Sequence, residues 1–125
     1  MEWSPDSRKI CFKGNVKDGG YEMAITAVDG SSSGFQVLTT ENINSDFAWH
    51  PDGSSILVAK HSSEHAGIRL FLCDPSTAQF ELLASQPLDQ MNGSPAWSQD
   101  GRRIVFHSRP KQQPRLWSTS KTNLE

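Results

Sequence analysis

WSPDSRKICF, residues 3–12, returns as WHPDGSSILV at residues 49–58 and as WSQDGRRIVF at residues 97–106. The three tryptophans stand 46 and 48 positions apart. An isoleucine follows each by seven residues (Ile10, Ile56, Ile104), and Phe12, Val58 or Phe106 comes two positions later. Between Trp and Ile lies a Pro-Asp-Gly type phrase. Proline presets φ for the first turn position, aspartate bonds the local backbone, and glycine takes a left-handed conformation, so the phrase reads as a tight hairpin. Ser7 stands in for that glycine in the first copy and Gln99 for the proline in the third, so those two turns are expected to form less comfortably.

Further segments recur at the same period. YEMAI (21–25), IRLFL (68–72) and PRLWS (114–118) occupy matching places, and FQVLT (35–39) matches FELLA (80–84). Each is strand-sized, rich in aliphatic and aromatic residues, and bounded by Gly, Pro, Asp, Asn or Ser. No stretch keeps a helical period. One repeat is therefore four short antiparallel strands, placed in the middle copy near 46–49, 54–60, 68–74 and 80–85. Four-stranded units recurring every 40–50 residues or so are the pattern of propeller blades. The expected class is all-β: about three blades of a β-propeller, a partial or half propeller in one domain over 1–125. Blade one covers 1–40, blade two 45–85, and blade three, lacking its last strand, 93–121. Trp3, Trp49, Trp97, Ile10, Ile56 and Ile104 are assigned to the repeat core, with each Trp between neighbouring blades.

WSPDSRKICF followed by YEMAITAVDG, and SPAWSQDGRRIVF followed by RLWS, resemble the TolB-type propeller repeat, a W-S-P-D-G-x-x-I-x-F phrase, then an apolar strand and a D-G turn. The resemblance implies a six-bladed parent fold and protein–protein contact at the periplasm or cell envelope. It transfers no partner-contacting residue, because the shared positions are structural.

The fourth strand of blade three would begin 31 or 32 residues after Trp97, beyond Glu125. Three blades short of a strand cannot close a ring of four to eight. Open ends would expose apolar faces and strand edges. Two expectations follow: a segment of a longer propeller, or a half-ring that pairs with a second chain through a heterologous contact that closes.

Net charge is −2, which does not suit a nucleic-acid binder that works by phosphate neutralisation. The charge is uneven. Residues 101–125 carry six Arg or Lys against one Glu, while residues 1–100 carry six basic and thirteen acidic residues. A solvated basic edge, or attraction between one copy's tail and another's body, accounts for that. No apolar run approaches the roughly 18 residues of a membrane helix, so no membrane insertion is expected. The start of the chain shows no signal peptide. Cys11 and Cys73 lie in apolar strand-like runs and read as buried free thiols.

No nucleophile elbow, phosphate loop or catalytic set is present, and no cofactor is expected. HSSEH (61–65) brings His61 and His65 four apart around Glu64, but on a loop rather than a helix, so the pair is a lesser metal candidate. His50 replaces the usual serine after Trp and reads as a turn residue. In propellers, loops at one face bind because rigid blades hold them. Here those are 13–20, 60–67 and 107–114, with 40–46 and 86–94 joining blades. They supply Lys13, Lys17, Asp18, His61, Glu64, His65, Arg109 and Lys111. That mixed charge suits a protein or peptide partner, giving a non-catalytic interaction scaffold. The alternative is a propeller enzyme with a metal-assisted lyase or hydrolase site for a saccharide.

Overall fold

Each Trp phrase closes the same hairpin. In the computed structural model, which describes residues 1–15, 18, 21–31, 34–39, 43–62, 64, 67–110, 117–118 and 122–123, the three turns share two backbone hydrogen bonds. Ser7, Gly53 and Gly101 donate to the carbonyls of Ser4, His50 and Ser98, each at 2.9 Å. Ser4, His50 and Ser98 in turn donate to Lys9, Ser55 and Arg103 at 2.8–2.9 Å. The third turn residue is left-handed in every copy, with φ of 59° at Ser7, 78° at Gly53 and 68° at Gly101. These hairpins set the strand register: Trp3 pairs with Ile10, Trp49 with Ile56 and Trp97 with Ile104.

Three antiparallel sheets result. The first contains β1 (Glu2–Trp3), β2 (Lys9–Asn15), β3 (Tyr21–Ala27) and β4 (Gln36–Thr39), in that order. The second contains β5 (Ile43–Trp49), β6 (Ile56–His61), β7 (Ile68–Asp74) and β8 (Gln79–Leu82), also in chain order. In the third, β9 (Gln90–Trp97) pairs with β10 (Arg103–Pro110). On the far side of β10 lie two short pieces, β11 (Trp117–Ser118) against His107–Ser108 and β12 (Thr122–Asn123) against Arg103–Ile104. Of the third strand expected at 114–118, Trp117 and Ser118 form β11, and 114–116 lie outside the described residues. No helix long and apolar enough to cross a membrane occurs among the described residues.

Side-chain alternation explains the stacking. β6 is buried from Ile56 to Lys60 because it is covered on both faces. Ile56 and Val58 face the first sheet, where Cys11, Met23, Ile25 and Leu38 join them with Phe47 and Cys73. Leu57 and Ala59 point the other way, with Leu70 and Leu83, onto Ile104 and Phe106 of the third sheet. Burying each such side chain contributes roughly 1.5–3 kcal/mol. β10 is covered on one face only: Ile104, Phe106 and Ser108 are buried while Arg103, Val105, His107 and Arg109 are exposed. Cys11 and Cys73 are free and buried, in agreement with their apolar sequence context.

Candidate interaction surface

The loops at one end of the sheets, the edges between sheets and the inner wall formed by the first strands are the surfaces open to a partner. At the loop end, His61 and Arg109 are exposed at the ends of second strands, β6 and β10. Lys13, near the end of β2, is half-buried and holds its ammonium 3.7 Å from the centroid of the Tyr21 ring. Asp18 is exposed, and so is Glu64, whose backbone N–H donates to Ser62 Oγ at 3.2 Å. Lys17, His65 and Lys111 lie outside the described residues. Successive sheets therefore present Lys13, His61 and Arg109 from one end, without bringing them into a single cluster. Among the described residues no three His, Cys, Asp or Glu side chains are placed to share a metal.

The connection from the second sheet to the third is held from beneath rather than hanging free. Gln86 extends the edge of β7 where β8 stops: its Oε1 accepts the Leu70 N–H at 2.8 Å and its Nε2 donates to the Leu70 carbonyl at 2.7 Å. Asn92 Nδ2 donates to Gln86 Oε1 and to the Pro87 carbonyl, and Ser108 Oγ donates to Asn92 Oδ1 at 2.7 Å. Arg69, 1% exposed, donates to the carbonyls of Ile68, Gln90 and Leu88. Seven hydrogen bonds on one short segment, most of them buried or charge-assisted, make it a joint, with only its tip, Leu88 and Asp89, exposed. Sequence reading missed Arg69, Gln86, Asn92 and Ser108. The one available signal was a polar residue inside an apolar strand run, Arg69 in IRLFL above all; Gln86, outside any strand, carried none.

The sheet edges follow one rule. Trp97 Nε1 donates to the carbonyl of Ala48 at 3.2 Å, and Trp49 Nε1 to that of Glu2 at 3.4 Å. In each case the acceptor immediately precedes the Trp of the previous sheet. Trp49 and Trp97 are partly buried against the sheet cores. Trp3 departs from its assignment to the core. It is 52% exposed, because no described sheet lies on its side of β1. His50, read as a turn residue, also crosses the boundary. Its Nδ1 lies 2.6 Å from Asp52 Oδ1, its Nε2 3.1 Å from the Gly101 carbonyl, and its ring 4.5 Å from that of Trp97. Along the inner wall, the three tryptophans with Pro5, Pro51 and Pro95 line an open groove of about 530 Å³.

Strands stacked sheet on sheet around an inner wall, with a Trp brace at each boundary, have counterparts in solved structures. A protein assigned as TolB from Agrobacterium tumefaciens superposes with a TM-score of 0.74 at 20% identity, over 98% of this chain and 44% of its own. TolB from Acinetobacter baumannii superposes with a TM-score of 0.69, also at 20% identity, over 98% of this chain and 30% of its own. The fold is a partial TolB-like β-propeller. At that identity the likeness speaks for the fold. The TolB-like chain described here spans less than half the length of either structure. No protein-family model matches its sequence, and no curated protein sequence matches it.

Proposed function

We propose that this TolB-like propeller chain is a non-catalytic protein-interaction scaffold, either as a segment of a larger propeller or as a half-ring that pairs with another. One observation carries the reading: Lys13, His61 and Arg109 are presented from the same end of three successive sheets whose cores are packed on both sides of β6. Rigid strands then hold loop residues of mixed charge in fixed relation. Such a surface suits a protein or peptide carrying both signs of charge rather than a polyanion.

The test is selection of peptides from a display library on the immobilised chain, followed by affinity measurement on a His61→Ala/Arg109→Ala variant. Binding weakened roughly tenfold, equivalent to about 1.4 kcal/mol, supports a site at the loop end. Binders indifferent to both changes count against it. Melting with EDTA or added divalent metals tests the enzyme alternative. A metal at 100 times its dissociation constant would stabilise the fold by about 2.7 kcal/mol, and a shift of that size would turn attention to His61 and His65.

A further inference from the structure

The sequence holds one Asn-Gly step, Asn92–Gly93, and the fold places it in the joint between the second and third sheets. Asparagine before glycine is the step at which a chain most readily attacks its own side chain, because glycine has no Cβ to shield its nitrogen. Here the amide is closed in. Asn92 is 1% exposed, and its Nδ2 donates both hydrogens, to Gln86 Oε1 at 2.9 Å and to the Pro87 carbonyl at 2.8 Å. Its Oδ1 accepts the Ser108 hydroxyl at 2.7 Å. Side chains stand roughly perpendicular to a strand pair, so the amide carbon must leave all three partners to reach the Gly93 nitrogen. The backbone just beyond is irregular: Ser94 and Pro95 together stand opposite Phe106, and Ser94 has φ 50°.

We propose that Asn92–Gly93 is a deamidation site gated by this joint, and that its conversion releases the joint irreversibly. When the joint opens, the Gly93 nitrogen loses its proton and bonds to Asn92 Cγ. The Cγ–Nδ2 bond breaks, and ammonia leaves with that proton. Water then opens the five-membered imide at either carbonyl, giving aspartate or isoaspartate. The joint cannot reclose around either product. An oxygen now stands where Nδ2 donated, facing two acceptors, and a buried carboxylate short of donors is costly. Gln86 cannot turn to help: its Oε1 accepts the Leu70 N–H, while its Nε2 donates to the carbonyls of Leu70 and Leu83 at 2.7 and 2.8 Å. Arg69 is engaged with the carbonyls of Ile68, Leu88 and Gln90. Isoaspartate also lengthens the backbone of β9 by one carbon where Asn92 pairs with Ser108. The exposed tip at Leu88 and Asp89 then loses its support, whatever the loop end binds.

The experiment ages the chain in warm, mildly alkaline buffer, native and in urea side by side, and reads the gain of one mass unit at Asn92 by peptide mass spectrometry. Deamidation should be at least about tenfold slower in the native chain, since the site reacts only through opening of the joint. Asn15, followed by valine, is the internal control and should stay intact in both. Ser108→Ala removes the hydroxyl on Oδ1 and should speed the native reaction, while Gly93→Ala should slow the reaction in urea. Hydrogen exchange at the Leu70 amide, which Gln86 covers, then reads the joint itself. Asn92→Asp should exchange there at least about tenfold faster than the parent chain. Should that variant fail to fold, the aged Ser108→Ala chain is compared with the same chain before ageing. Equal rates in buffer and urea overturn the gate, as does a native Ser108→Ala chain no faster than its parent. Unchanged Leu70 exchange in a chain carrying the product overturns the release.

Discussion

His50 Nε2 lies 3.1 Å from the carbonyl oxygen of Gly101, and a Cβ added to Gly101 would stand 2.4 Å from that nitrogen. The inner hairpin of the third sheet thus seats directly on the turn of the second. Gly53 makes the corresponding approach with room to spare, its nearest neighbour being Pro5 Cδ at 4.0 Å. Both glycines have positive φ, 68° and 78°.

Alanine at the two sites should separate conformational cost from crowding. Gly53→Ala is expected to cost about 1–2 kcal/mol, the penalty of a left-handed L-residue. Gly101→Ala carries the same penalty plus the collision with His50, and should cost about 3 kcal/mol or more. Urea unfolding of both variants checks the order. Adding His50→Ser to Gly101→Ala should recover the difference, because serine is what the other two copies carry at that place.

Ser7 sits at φ 59° without the freedom of glycine. Ser7→Gly should therefore stabilise the chain by about 1 kcal/mol, read as a rise in melting temperature. No change would mean that the first turn relaxes without strain.

The hairpin aspartates give the fold an acid limb. Asp6 has a lowered pKa through the Ser4 hydroxyl and then the Arg8 N–H, Asp100 through the Ser98 hydroxyl and then the Arg102 N–H, and Asp52 through Ser54. Each carboxylate is better stabilised folded than unfolded. Its contribution is complete above the unfolded value of about 3.9 and is lost as pH falls through the folded one. Melting temperature should hold between pH 7 and pH 5 and decline below about pH 4. An Asp6→Asn/Asp52→Asn/Asp100→Asn variant should decline less steeply over the same range. An identical slope would assign the acid sensitivity elsewhere.

Burial pushes the thiols of Cys11 and Cys73 up to about 12, with the second thiol, Cys73, as a further cause for the first and the Asp74 carboxylate for the second. At pH 8 such a thiol is ionised about once in ten thousand, and the thiolate is the reactive form. Both lie in the core shared by the first and second sheets. Aromatic disulfide reagents should leave them intact in the native chain and modify both in urea. Fast labelling without denaturant would show that these two sheets come apart.

Much of this architecture was legible in the residues. A seven-residue step from Trp to Ile around a turn phrase is a local event. The hairpin forms within ten residues, and its bonds, repeated at 2.8–2.9 Å in all three copies, need nothing distant. The strand alternation of Ile56 and Val58 against Leu57 and Ala59 was likewise open to reading, since side chains alternate faces along any strand. The interaction loops were readable only as positions, because surface residues are not constrained by packing, and Lys17, His65 and Lys111 fall outside the described residues.

The repeat therefore determined by itself the strands, the hairpin register and the propeller class. Only the tertiary structure decided which residues join one sheet to the next. Trp97 reaches Ala48, His50 reaches Gly101, and Arg69 reaches the carbonyls of Leu88 and Gln90. These partners are separated by 19 to 51 positions, and no local preference brings them together. They meet because two sheets bury their apolar faces against each other, and that burial then requires the polar groups caught between them to find partners. The same stacking leaves Trp3 half exposed, where the sequence alone placed it in the core with the other two.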